Sequence, residues 1–144
     1  MQFELSEEQQ AVRELCRDFA DEVVAPRAAE LDEHHRFPLE IVEQMAEIGL
    51  FGLLFDPEWG GAGADFTSYC IAIEEISRAD AGLGATLEAG VSLGASPIHD
   101  YGSRAQKERW LPELVAGRRL WAFGLTEPSS GSDTRALRTR ARLD

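Results

Sequence analysis

Apolar side chains return every three or four positions over most of this chain. Val12, Leu15, Phe19 and Val23 make one such run, and the spacing predicts one buried face of a helix. Ser6 and Gln9 precede it as a capping box, which satisfies backbone N–H groups at a helix start. The helix either runs past Pro26 or kinks there, because proline has no N–H for a helical bond. It is predicted to stop between Leu31 and His34. A second helix starts at Phe37-Pro38, with Leu39, Val42, Met45 and Ala46 as its apolar stripe and Gly49 as its C-cap. Leu50 to Leu54 is an apolar connector, and Asp56 to Gly63 is rich in loop-forming residues. Asp65 caps a third helix with Tyr69, Ala72, Ile73 and Ile76 on one side. Asp80 caps a fourth, covering about Ala81 to Asp100. Ser103 and Gln106 form a second capping box, opening a short helix through Trp110. Pro112 to Ala116 adds a turn, which Gly117 ends.

The period changes at Arg119. Leu120 to Leu125 reads as a strand, and Leu137, Thr139, Ala141 and Leu143 alternate with Arg138, Arg140 and Arg142 as a half-buried strand would. The expected fold class is therefore mainly α: a helical bundle over 1–118, followed over 119–144 by the first strands of a β domain that is not completed. Inside the fourth helix, Gly82, Gly84, Gly90 and Gly94 alternate with alanines and serines. Each mid-helix glycine costs up to about 1 kcal/mol relative to alanine, so the stretch implies close approach of another helix or of a ligand.

Composition narrows the picture. The chain has 144 residues, 44% of them apolar, enough for a domain with its own core. The 26 acids against 14 bases give a net charge of −12, which disfavours nonspecific binding to nucleic acid or to an anionic membrane. Most of the excess acid lies in the first 80 residues. The tail holds Arg135, Arg138, Arg140 and Arg142, either on a solvent-facing strand edge or as an electropositive rim beside a pyrophosphate or CoA. Cys16 and Cys70 sit in helical apolar patterns and read as small buried hydrophobes; they form no metal motif or disulfide framework. His34, His35 and His99 show no metal-ligand spacing, and Trp59, Trp110 and Trp121 read as packing anchors. No signal peptide and no membrane-length apolar run is present, so the expected location is cytoplasmic.

The most informative stretch is Trp121-Ala122-Phe123-Gly124-Leu125-Thr126-Glu127-Pro128-Ser129-Ser130-Gly131-Ser132-Asp133. A short apolar run gives way to a loop of small hydroxyl residues and glycine, which offers N–H groups and hydroxyls to an anion or a polar ring edge. The segment resembles the flavin-contacting signature of the acyl-CoA dehydrogenase family. An ordered series of further landmarks resembles the same family. It begins with Pro26, Asp32, Phe37-Pro38 and Gly49-Leu50. Pro57-Glu58-Trp59-Gly60-Gly61, Gly63 and Ser77-Arg78-Ala79-Asp80-Ala81 follow. Gly102, Gln106-Lys107, Trp110-Leu111-Pro112 and Gly117 then lead into the loop.

The resemblance implies an FAD-dependent α,β-dehydrogenation of an acyl-CoA thioester. In that family a carboxylate takes the α-proton, the β-hydrogen leaves as hydride to the flavin, and a trans-2-enoyl-CoA results. An electron-transfer flavoprotein then reoxidises the cofactor, and the complete protein is a homotetramer or homodimer. Phe123, Leu125, Thr126, Gly131 and Ser132 become the cofactor-binding set. Ser132, Ala89, Gly90 and Gly94 become the substrate-binding set; tight helix packing explains the last three equally well. Glu127 precedes a proline and is read as fixing the loop rather than as the base. The family's base is a glutamate of its C-terminal domain, which no position here matches, so no catalytic residue is assigned. These 144 residues are expected to be an N-terminal fragment that is inactive alone. Two other readings stay open: an acyl-CoA oxidase or flavin monooxygenase of the same fold, and a non-enzymatic helical interaction domain.

Overall fold

The computed structural model describes residues 4–142. Two long rods frame it. The first joins α1 (Glu7–Phe19) to α2 (Ala25–His34) through a π turn at Ala20–Val24. The second joins α5 (Ala81–Glu88) to α6 (Ser96–Tyr101) through a π turn at Ala89–Ala95. Both π turns have the same cause. Pro26 and Pro97 lie just beyond them, and a proline ring inside an α-helix collides with the carbonyl four residues back. The wider turn moves that carbonyl aside, so the Ala25 and Ser96 N–H groups donate five residues back, to Ala20 and Val91. The chain therefore passes Pro26 without ending its helix. It stops at His35, in the left-handed region with φ 50°.

Between the rods lie α3 (Leu39–Glu47), single 3₁₀ turns at Leu50–Gly52 and Pro57–Trp59, and α4 (Phe66–Ala79). After them comes α7 (Arg104–Val115). The predicted caps all form. Ser6 and Ser103 make complete capping boxes, Asp65 accepts from the Ser68 N–H at 2.7 Å, and Asp80 accepts from Leu83 at 2.9 Å. Gln9 also donates to Asp65 at 2.7 Å, tying the start of α1 to the start of α4.

One core runs through the bundle. It gathers Ile41, Val42 and Met45 of α3, Tyr69, Ala72 and Ile76 of α4, Leu83 and Leu87 of α5, Val91 and Ala95 of the π turn, and Leu111, Leu114 and Val115 of α7. On the first rod the deeply buried face is Cys16, Ala20 and Val24, one step round from the predicted stripe. Val12, Phe19 and Val23 flank it, and Leu15 is 47% exposed. Small residues face α4, which lets the two helices approach closely; larger ones fill the flanks. Burial, reinforced by the Glu75 carboxylate, pushes the Cys16 thiol up to about 12, so it stays an inert packing group. Cys70 does not share that fate: it is exposed.

The expected β strands do not form. Among the described residues the only ladder is a bridge between Glu127 and Ser130. A strand needs a neighbour for its N–H and C=O groups. Residues 120–126 have no such backbone partner among the described residues. On the second segment the consecutive N–H groups of Arg138 and Thr139, which in a strand would point to opposite sides, both turn to the Glu127 carboxylate. Leu143 lies outside the described residues. The fold class is thus a helical bundle with an irregular tail, and the incomplete β domain is withdrawn.

Glu75 is the buried charge of the bundle, 3% exposed on α4. Arg17 grips it from α1 with two bonds, of 3.1 and 2.7 Å, and Arg78 adds one at 3.2 Å. Arg13 lies 3.8 Å away. Arg78 continues to Asp21 at 2.7 Å. The Arg17 bonds hold the Glu75 carboxyl below the usual carboxylate range, against the opposing effect of burial. Its contribution to stability is therefore present above the unfolded-state pKa of about 4.3, and is lost as pH falls through the lower folded value. Glu75→Gln is expected to lower the urea-unfolding free energy by about 1.5–3 kcal/mol at neutral pH and to flatten the acid limb of stability against pH. An unchanged acid limb would show that the carboxylate is not the titrating group.

The end of α7 generates a second expectation. Gly117 has φ 65°, and a Cβ built there would lie 2.4 Å from the Ala46 Cβ and 2.8 Å from the Phe51 ring. Gly49 has φ 80° but open space around it. Gly49→Ala should cost only the left-handed backbone penalty, about 1–2 kcal/mol. Gly117→Ala should add overpacking of about 1–3 kcal/mol. Parallel denaturant titrations of the two variants test the ranking.

Candidate functional site

Beyond α7 the chain turns at Gly117 and is held there by Glu113. The Glu113 carbonyl accepts from the Arg118 and Arg119 N–H groups at 3.0 and 3.3 Å, and its side chain pairs with the Arg118 guanidinium at 2.7 Å. That pair holds the Glu113 carboxyl below its ordinary range. The chain then leaves the bundle as an extended arm. Leu120, Phe123 and Leu125 are exposed along it, Phe123 to 53%.

Trp121 is the arm's anchor. It packs against the core and stands edge-on to Trp110, with ring centroids 5.7 Å apart. Its foot rests on Gly94, where a built Cβ would come within 3.0 Å of the Trp121 Cβ. Gly90, one turn earlier, faces the Phe51 ring at the same separation. Both glycines are thus sites of close approach by aromatic side chains. Gly94 also joins the two sequence-predicted groups, because the π turn carrying Ala89, Gly90 and Gly94 touches the arm that carries Phe123, Leu125 and Thr126.

The loop itself is folded by short-range bonds. Glu127 and Ser130 exchange N–H to carbonyl bonds of 2.8 and 3.1 Å. The Ser130 hydroxyl donates to the Asp133 carbonyl at 2.5 Å, and Asp133 accepts from the Arg135 N–H at 3.2 Å. The Glu127 carboxylate reaches across to residues 138 and 139. The Thr139 hydroxyl first, then the two N–H groups, hold it below the usual carboxylate range. Both loop acids therefore turn their charge onto backbone donors. The fold also brings Gly131 beside Thr126, with a built Cβ 3.5 Å from the Thr126 methyl. Thr126 and Ser132 are exposed, and among the described residues neither hydroxyl is used within the protein. Arg135, Arg138, Arg140 and Arg142 form no ion pair among the described residues.

The donor set suits a flavin dinucleotide: two free hydroxyls, a glycine where backbone can be approached, apolar Phe123 and Leu125 beside them, and cationic side chains just beyond. In the sequence, Trp121 reads as a packing anchor and Phe51 falls within the apolar connector of residues 50–54. The signal for more was the pairing of each ring with a helical glycine, which spacing in the chain does not reveal.

The family model described as acyl-CoA dehydrogenase, N-terminal domain, matches residues 6–118. The short-chain specific acyl-CoA dehydrogenase of Clostridium acetobutylicum is 45% identical over 144 residues, 100% of this chain and 38% of that protein. A solved structure described as the electron transferring flavoprotein of Acidaminococcus fermentans superposes with a TM-score of 0.96 at 42% identity, over 100% of this chain and 38% of that one. The acyl-CoA dehydrogenase complexed with FAD from Bacillus anthracis gives a TM-score of 0.86 at 35% identity, over 93% of this chain and 23% of that one. The chain spans little more than a third of the length of the curated relatives it matches.

The Gly94 contact can be tested directly. Alanine gains helix propensity of about 1 kcal/mol, but its methyl would push on Trp121. Gly94→Ala is expected to displace the indole and reduce the near-ultraviolet circular dichroism of the Trp110–Trp121 pair, with helix content unchanged. An unaltered near-ultraviolet spectrum would mean that Gly94 does not seat Trp121.

Proposed function

This chain belongs to the acyl-CoA dehydrogenase family, and from that membership we propose that it forms the N-terminal part of an FAD-dependent enzyme that converts an acyl-CoA thioester to its trans-2-enoyl-CoA. The observation that carries the reading is the loop from Thr126 to Asp133, whose free hydroxyls face outward while both of its acids are turned onto backbone donors. FAD, when bound, supplies the acceptor for the hydride that leaves the β-carbon. The chain's own residues bind and orient. Thr126 offers its hydroxyl and N–H to the polar edge of the flavin ring. Phe123 and Leu125 give that ring an apolar bed. Gly131 and Ser132 receive the pyrophosphate, with the tail arginines lending positive potential. On the substrate side, Ser132 meets the pantetheine arm and Ala89 borders the acyl chain, while the bare faces of Gly90 and Gly94 are taken up by Phe51 and Trp121.

Neither loop carboxylate serves as the base. Glu127 and Asp133 are both engaged by backbone N–H groups, and because the family's base is a glutamate of its C-terminal domain, the proposed acceptor of the α-proton is a carboxylate outside these 144 residues. An electron-transfer flavoprotein is the proposed oxidant of the reduced enzyme, and a homodimer or homotetramer the proposed assembly. A cytoplasmic setting is proposed on two grounds: both cysteines are free thiols, and among the described residues no helix is long and apolar enough to cross a membrane. The relative's short-chain specificity makes a short acyl group the proposed substrate.

The experiment is flavin titration of the whole protein beside its Ser132→Ala variant. Loss of one hydrogen bond to a charged group, about 1.5–3 kcal/mol, should weaken FAD binding roughly tenfold to hundredfold, with the apoprotein melting temperature unchanged. Unaltered FAD affinity with a lower apoprotein melting temperature would make Ser132 a turn residue and remove the main support for the reading.

A further inference from the structure

Residues 119–142 contain no regular structure beyond a 3₁₀ turn at Thr134–Ala136. Something other than a sheet or a long helix must therefore give the loop its shape. Most of its hydrogen bonds are local, spanning two or three residues. The exception is Glu127. Its Oε2 accepts from the Arg138 N–H at 2.8 Å, and its Oε1 accepts from the Thr139 N–H at 2.7 Å and the Thr139 hydroxyl at 2.5 Å. One side chain thus closes the span from 127 to 139, with Gly131 and Ser132 inside it and Thr126 at its hinge.

We infer that Glu127 is the positioning residue of this loop: its carboxylate clasps Arg138 and Thr139 and so preforms the frame that presents Thr126 and Ser132. The link to the cofactor rests on the proposed flavin reading; the clasp itself does not. Three donors on one carboxylate are charge-assisted bonds, stronger than neutral ones. Closing the span before a ligand arrives removes ordering cost from the binding step. Glu127 acts through the backbone and touches no reacting atom. Its charge matters because all three partners are neutral donors. The charged residues of the facing segment are Arg138 and Arg140, and Asp133 lies on its own side; none forms an ion pair with it among the described residues. The clasp should hold while Glu127 is ionised and open as pH falls through its lowered value.

The test is amide hydrogen exchange at Arg138 and Thr139 in the whole protein, corrected for intrinsic rates and followed against pH. In the parent both amides should be protected near neutral pH and lose protection toward acid. Glu127→Ala should raise their exchange about tenfold or more, and Glu127→Gln, which keeps an acceptor oxygen but no charge, should exchange at an intermediate rate with a flat pH profile. The melting temperature of the helical bundle should not move. Equal protection in the parent and Glu127→Ala would overturn the clasp. FAD titration of Glu127→Ala beside Ser132→Ala separates the two readings. Weaker FAD binding in both supports the positioning role. Weakening in Ser132→Ala alone overturns that role and leaves the flavin site standing. Lost protection with neither variant changing FAD affinity supports the clasp and overturns the flavin site.

Discussion

The Phe51 ring lies between two positions that carry no side chain, and much of the molecule is arranged around that slot. Gly90 of the π turn closes on one edge of the ring, and Gly117 at the end of α7 closes on another. The ring is 3% exposed. A methyl at either glycine would occupy space the ring already fills, so the connector after α3, the second rod and the end of α7 share one point of registry. Interiors packed to crystal density transmit such a constraint. From Gly117 the chain runs on toward Trp121, and Trp121 in turn needs Gly94 to be bare. The position of the exposed arm and its loop is thereby derived from the core rather than from the loop's own residues.

A second device works where α1 pairs with α4. The small face Cys16, Ala20 and Val24 allows α1 to lie close to α4, which brings Arg17 within reach of Glu75. A buried carboxylate without partners would be costly; here its guanidinium partners keep their outer ends in water. The apolar contact and the charged contact specify the same pairing of helices, and agreement between levels of this kind narrows a chain to one fold.

Much of this was legible in the sequence. Caps are local chemistry, so Ser6, Asp65, Asp80 and Ser103 could be placed from neighbouring residues alone. The glycines of the fourth helix announced close approach, but the identity of the approaching group is a long-range fact: Phe51 is 39 residues from Gly90, and Trp121 is 27 from Gly94. Glu75 was missed for the same reason, since its main partner lies on another helix. Leu15 was misplaced because three- and four-residue spacing fits two neighbouring faces of the helix equally, and the buried one is Cys16, Ala20 and Val24. The strands failed for a different cause. Alternation along residues 137 to 143 is a real pattern, yet a pattern supplies no partner for the backbone, and Glu127 draws to one side two consecutive N–H groups that a strand would point to opposite sides. For the loop, the hydroxyl and glycine content and the bracing role of Glu127 were visible, while the residues that Glu127 reaches, Arg138 and Thr139, lie 11 and 12 positions away and were not.

The two π turns carry an implication for how the chain tolerates change in length. Each winds one residue more than an α-helical turn would need over the same stretch. Deleting a single residue from Ala89–Ala95 would allow ordinary winding, but it would return a carbonyl to the path of the Pro97 ring and bend the rod. The same holds for Ala20–Val24 and Pro26. Surface loops normally absorb gains and losses of residues while helices resist them; in these rods the resistance is absolute in register, because turn and proline form a matched pair. Two lineages could differ in the length of an unpacked surface loop and keep the bundle. They could lose a π turn only by losing its proline as well.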